Sequence, residues 1–235
     1  MMREHLDSSM KKFSGWNINY YGKGEKFVHH TNAKIIKLKQ IIESNYDKFN
    51  WIVLVDSNDI LVNQNYNEDK FIQCLNFFDK PIIFCGEANN YPFSDFEAFY
   101  ESKSSVKYLN SGFVAMQKDF SLPLINKALD LYEKYPRYKR SGAAFCGDQT
   151  YYQLCLFSKG WRELIAIDDI GKLCICTCKL PEDAFHVDSN GIIFKETGER
   201  PFMVHFPGMS KHDTKRNFMK KMGIRFEHDH QWKTK

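Results

Sequence analysis

Three short apolar runs, at Trp51–Val55, 81–85 and 112–116, constrain the fold of this chain more than any other feature. Each reads as a buried strand, and the β-branched Trp-Ile-Val-Leu-Val run suits a strand covered on both faces. Between the runs lie segments with helical spacing. Thr31 or Asn32 is placed to cap a helix from residue 33 to about 46, with Ile35, Ile36, Leu38, Ile41 and Ile42 at helical intervals. Further helices are predicted over 68–78, 122–134 and 148–157. A short strand is predicted over 16–21, and 161–194 reads as strand-rich. Alternating strands and helices predict an α/β fold: a mainly parallel sheet flanked by helices. Ligands of such sheets bind beyond the carboxyl ends of the strands, so the residues just after each buried run carry the most information.

No repeat, low-complexity stretch or Pro/Gly/Ser linker divides the 235 residues, so one domain over 1–235 is expected, with an irregular or helical start over 1–15 and a basic tail over 212–235. Hydrophobic residues at 43% and charged residues at 26% exclude disorder, collagen and coiled coil. The net charge of +4 is local, since residues 200–235 hold nine basic and three acidic side chains. A nucleic-acid binder spreads basic charge along a whole face, so no nucleic-acid partner is expected. No apolar run approaches the roughly 18 residues of a membrane span, and the first residues lack the apolar stretch of a secretory signal. A cytoplasmic protein is therefore expected. Seven cysteines without a CxxC pair point to reduced core thiols. Cys174, Cys176 and Cys178 alternate onto one face of a predicted strand rather than standing at zinc-ligand spacing.

Two clusters carry chemistry. After the run 51–55 come Asp56-Ser57-Asn58-Asp59, two carboxylates at a strand's carboxyl end that the chain can turn into one cleft. Close carboxylates repel unless a cation lies between them, and Mg²⁺ or Mn²⁺ takes carboxylate oxygens together with substrate phosphates. An Asx-turn capped by Asp56, with Asp59 solvated, uses the same residues. Near the other end, after an apolar 202–204, stand His205-Phe206-Pro207-Gly208-Met209-Ser210-Lys211. There His205 can offer an imidazole nitrogen, Gly208 a close backbone approach, and Lys211 a point charge for phosphate. His205 also fits a satisfied, partly buried histidine.

Together the clusters resemble the glycosyltransferases of the GT-A fold, in which an acidic motif follows a buried strand and a late histidine completes the metal shell. His205-Phe206-x-Gly208-x-x-Lys211 resembles the HFxGxxK signature of glycogenin-type enzymes. Over most of the chain the resemblance is closer to the glycosyltransferase domain of the procollagen lysyl hydroxylases. It rests on Asp56-Ser57-Asn58-Asp59, Leu109-Asn110-Ser111-Gly112, Asp148-Gln149 followed by Thr150-Tyr151-Tyr152, and 205–211, in that order.

This resemblance implies a metal-dependent transfer of glucose or galactose from a UDP-sugar to a hydroxyl acceptor, such as hydroxylysine in a protein or a glycan. Asp56, Asp59 and His205 would bind Mn²⁺ or Mg²⁺, with Asp56 also contacting the ribose. Lys211 and the backbone at Gly208 would hold the diphosphate. Asn110, Ser111 and Gly112 would line the donor-sugar pocket. Asp148, with Gln149 beside it, would position sugar hydroxyls or act as the base; capping of its helix is the other reading of Asp148. Glu87, after the run 81–85, also falls at a strand end.

The chain departs from the family in three places. An opening apolar strand is missing before a first helix near Leu6. Nothing corresponds to the lysyl hydroxylases' oxygenase domain. Phe27-Val28-His29-His30-Thr31-Asn32 replaces a glycine-rich stretch, although Lys34 keeps the basic position that follows. The missing strand makes a weakly active or inactive sugar-nucleotide or glycan-binding module the alternative function. A non-haem iron site at His186-Val187-Asp188 would need a β-barrel. The stretch 215–232, with Phe218, Met219, Met222 and Phe226 on one face, reads as a terminal helix packed on the core or docked on a partner.

Overall fold

The apolar runs do become strands, and their alternating side chains divide between two layers. The computed structural model describes residues 6, 9–11, 16–20, 33–57, 59–63, 67–92, 94–135, 147–207 and 212–224. Its elements in chain order are α1 (Ala33–Asn45), β1 (Trp51–Val55), β2 (Ile60–Val62), α2 (Glu68–Phe77), β3 (Ile82–Glu87), β4 (Tyr108–Gln117), α3 (Lys118–Lys134), α4 (Asp148–Leu156), β5 (Ile165–Asp168), β6 (Cys174–Cys176), β7 (Phe185–Asp188), β8 (Gly191–Phe194), β9 (Met203–His205) and α5 (His212–Lys221).

Among the described residues, seven strands form one mixed sheet in the order β1-β4-β3-β6-β9-β2, with β5 also on β3; β7 and β8 form a separate hairpin. The β3–β5, β3–β6 and β6–β9 pairings are parallel, whereas β4 runs antiparallel to both β1 and β3. It follows that β1, β3, β6 and β9 all point the same way. Their carboxyl ends share one edge of the sheet.

Period-two alternation decides which layer each strand residue enters. Ile82, Phe84, Val114 and Met116 face α1, α3 and α4, where they meet Ile35, Leu38, Leu124, Ile125, Tyr151 and Tyr152. Ile83, Cys85, Phe113 and Ala115 face the opposite way, onto Phe71 and Leu75 of α2. A third cluster joins Phe218 and Met219 of α5, and Met222 just after it, to the hairpin and to Val204 and Phe206. The terminal helix is thus part of the core; Phe226 lies outside the described residues.

Two local expectations change. The strand predicted over 16–21 is not formed at 16–20, because Trp16 and Tyr20 pack onto the α2 layer instead, Trp16 edge-on to Phe71 at 4.8 Å; Tyr21 lies outside the described residues. β1 is apolar on both faces as expected, yet every residue in it is only partly buried. It is the last strand of the sheet on that side, so its outer edge is uncovered by any strand among the described residues. The six described cysteines (Cys74, Cys85, Cys155, Cys174, Cys176 and Cys178) are free, and burial pushes the thiols of Cys85, Cys155, Cys174 and Cys176 up, which keeps them protonated. No helix among the described residues is long and apolar enough to cross a membrane.

Candidate active site at the carboxyl edge of the sheet

The site begins with an irregularity in β4. Phe84 of β3 pairs with Val114, but the next residue, Cys85, pairs with Asn110. Ser111, Gly112 and Phe113 are therefore bulged out of the β3–β4 ladder, and bulges of this kind re-aim side chains beside functional sites. On its other side the bulge receives the end of β1, where the Asp56 amide donates to the Gly112 carbonyl at 3.0 Å. Gly112 is needed for a second reason. A Cβ there would overlap the His205 imidazole, so only glycine lets the ring approach the β4 backbone this closely.

His205 ends β9, with its backbone fixed from two sides. It pairs with Ile60 of β2 and accepts from the Thr177 amide at 2.8 Å. Its side chain is 3% exposed, and burial pushes its pKa down to about 4, so the ring is neutral at physiological pH. Among the described residues Nε2 makes no hydrogen bond, and it faces Asp56 Oδ2 at 3.7 Å. The aspartate from the first quarter of the chain and the histidine from its last sixth thus meet.

Asp56 has a second neighbour. Lys34 Nζ lies 2.8 Å from Asp56 Oδ1, 3.0 Å from Asp148 Oδ2 and 3.4 Å from the Ser111 carbonyl. A lysine in the first turn of a helix opposes the helix dipole, so its position is not explained by α1 itself. Burial works against the ammonium, but Asp148 and then Asp56 outweigh it and raise its pKa. Partial burial likewise works against the Asp56 charge, and Lys34 and His205 hold that carboxyl below its ordinary value. Asp148 stands at the start of α4, where the dipole favours a carboxylate.

Behind these groups lies a buried polar chain. Asn110 Oδ1 lies 2.9 Å from His205 Nδ1 and accepts from the Gly112 amide at 2.8 Å. Asn110 Nδ2 donates to Gln149 Oε1 at 3.3 Å, which also accepts from the Ser111 amide at 3.1 Å. Gln149 Nε2 donates to Glu87 Oε1 at 2.6 Å and to the Tyr91 carbonyl at 2.8 Å. Glu87, at the carboxyl end of β3, is 3% exposed, and burial pushes its pKa up to about 8 against the hydrogen bond from Gln149.

Asp59 closes a turn after β1, its amide donating to the Asp56 carbonyl at 3.0 Å and its own carbonyl accepting from the Phe206 amide at 2.8 Å. Among the described residues no three His, Cys, Asp or Glu side chains are grouped as a metal shell, so Asp56 and His205 meet as a pair. Gly208 and Lys211 lie outside the described residues.

Lys215 was not singled out as a site residue by its motif, yet it is 2% exposed on α5, with Nζ 5.6 Å from the Phe206 ring centre. Burial pushes it down to about 7, and Asp59 opposes that shift. Its signal in the sequence is a lysine on the stripe completed by Phe218, Met219 and Met222. His186 and Asp188 lie 3.3 Å apart on the hairpin, His186 with 59% of its side chain exposed, and the α/β architecture rules out the barrel that an iron site there would need.

No protein-family model and no curated protein matches the chain. Among solved structures it is similar to one described as a glycosyltransferase involved in the glycosylation of the major capsid of PBCV-1. The TM-score is 0.50 and the identity 14%, over 93% of this chain and 90% of that one. The chain therefore shares the α/β fold of that protein.

Proposed function

We propose that the protein is a metal-dependent glycosyltransferase that moves a hexose, glucose or galactose, from a UDP-sugar to a hydroxyl on a protein or glycan acceptor. One observation carries the reading: a neutral, buried imidazole turns an Nε2 that has no hydrogen-bond partner among the described residues toward an ionised carboxylate 3.7 Å away. Two electron-rich atoms so placed gain nothing from each other, whereas a cation between them would satisfy both. The donor set of one carboxylate oxygen and one imidazole nitrogen suits Mn²⁺ or Mg²⁺, which keeps further positions for water and substrate phosphates. A fold shared with a glycosyltransferase, and the four motifs resembling the lysyl hydroxylase domain, support a nucleotide sugar as the phosphate ligand.

Asp56 and His205 would hold the ion; Asp59 is assigned to the same shell by its motif alone, since no third such side chain is grouped with the pair among the described residues. When bound, the ion would offset negative charge growing on the departing diphosphate. Lys34 holds the Asp148 carboxylate in place beside the cleft, where Asp148 would orient sugar hydroxyls or take the acceptor's proton. Ser111 and Gly112 form the bulged wall against which the sugar would lie. Gly208 and Lys211 are assigned to the diphosphate by their motif, Lys211 as a point charge.

A second reading, a module that binds sugar nucleotide or glycan without turnover, is favoured by Lys34, which already neutralises the Asp56–Asp148 pair. A single pair of measurements decides between them. UDP with Mn²⁺ should raise the melting temperature of the wild type, and Asp56→Ala or His205→Ala should abolish the rise. Release of UDP from UDP-glucose or UDP-galactose then identifies an enzyme. A rise in melting temperature without release identifies a binder, and no rise at all removes the donor site.

A further inference from the structure

The polarity of the buried chain behind His205 is set by backbone groups that cannot reverse their roles. The Gly112 amide can only donate, so the atom of Asn110 it meets at 2.8 Å must be the oxygen. The Ser111 amide, 3.1 Å from Gln149, fixes the acceptor end of that side chain in the same way. The Tyr91 carbonyl, which can only accept, fixes its donor end at 2.8 Å. Once both amides are oriented, every remaining contact has one solution. Asn110 Nδ2 must donate to Gln149 Oε1, Gln149 Nε2 to Glu87, and His205 Nδ1 must carry a hydrogen to meet Asn110 Oδ1 at 2.9 Å.

We infer that Asn110, oriented by the Gly112 amide and buttressed by Gln149 and Glu87, is the positioning residue that fixes His205 as its Nδ1–H tautomer and leaves the Nε2 lone pair aimed at Asp56. A histidine that ligates through one ring nitrogen commonly donates from the other to a fixed acceptor, which holds the ring and raises its basicity. Here the acceptor comes from the bulged strand on which the imidazole lies. Asn110 is 5% exposed, with both ends of its side chain engaged. Gln149 is engaged at both ends as well, so it too positions rather than touches a substrate. The tautomer belongs to the protein alone; its use for a cation rests on the function proposed above.

The test reads the ring nitrogens directly. In ¹⁵N-labelled protein at pH 8, without metal, two-bond ¹H–¹⁵N correlations should show His205 wholly as the Nδ1–H form. Asn110→Ala should lose that single pattern, while Asn110→Asp, which keeps an acceptor facing Nδ1, should retain it. An Nε2–H pattern in the wild type, or an unchanged pattern in Asn110→Ala, overturns the inference. If Asn110→Ala does not fold, the wild type and Asn110→Asp decide, and absence of Nδ1–H in either overturns it. Titration with Mn²⁺ alone, followed by electron paramagnetic resonance, should show about 10- to 100-fold weaker binding by Asn110→Ala. A wild type with the expected tautomer and no Mn²⁺ affinity would sink the donor-site reading and leave the tautomer assignment standing.

Discussion

Glu87 shows how a single residue at the carboxyl edge is shaped by its surroundings. Its carboxyl is buried among Gln149, Asn110 and Cys176, and its pKa rises from an ordinary 4.5 to about 8. The folded state therefore binds a proton that the unfolded chain releases between those values. Stability from this group is complete below about pH 4.5 and declines as the pH rises toward 8. Glu87→Gln cannot ionise and keeps the oxygen that accepts from Gln149. Urea unfolding of both proteins should show the variant gaining on the wild type from pH 5 to pH 8, by an amount on the order of 2–4 kcal/mol. Parallel curves would mean that Glu87 is ionised in the fold. The comparison isolates Glu87, because His205, pushed down to about 4, adds stability with rising pH in both proteins alike.

At the scale of elements, short strands need outside partners. The hairpin β7–β8 has four residues in each strand, too few to be stable alone, and Asn63 ties it to the main sheet. Asn63 Nδ2 donates to the Ile192 and Pro201 carbonyls at 2.7 and 2.8 Å, and the Ile192 amide donates back to Oδ1 at 2.8 Å. Gly191 makes room for this, since its φ is +121° and a Cβ there would overlap Asn63 Oδ1. Asn63→Ala leaves these buried groups unsatisfied and should cost about 2–3 kcal/mol in urea unfolding, with faster exchange of the Ile192 amide. Unchanged exchange would show the hairpin held by its aromatic contacts instead, among them Phe185 on Phe218 at 5.5 Å. The same packing explains why α5, basic and aromatic in sequence, is a core helix: its apolar stripe already has the hairpin to cover.

For the whole molecule, the decisive point is one glycine where three distant parts of the chain converge. Gly112 accepts from Asp56 through its carbonyl and supports the His205 ring on its bare Cα. Gly112→Ala should cost about 1–3 kcal/mol by overpacking, and should remove the UDP–Mn²⁺ rise in melting temperature because the ring must move. A variant that keeps both stability and that rise would place the imidazole elsewhere. Much of this was legible beforehand. The runs at 51–55, 81–85 and 112–116 and the helices beginning at 33, 68 and 148 announce themselves by local periodicity. The sequence could not say that β1 ends the sheet, that Trp16 and Tyr20 pack rather than pair, or that Asn110 serves the imidazole. Nor could it say that Lys34 joins two carboxylates 92 residues apart in sequence. Periodicity and composition act through neighbours along the chain, so the sequence alone determined the elements and the kinds of side chain at their ends. The meeting of Asp56, Asn110 and His205 depends on strand order and on a bulge in the middle of β4. Those arise only when residues far apart in the chain are packed against one another, and so the tertiary structure alone decided them.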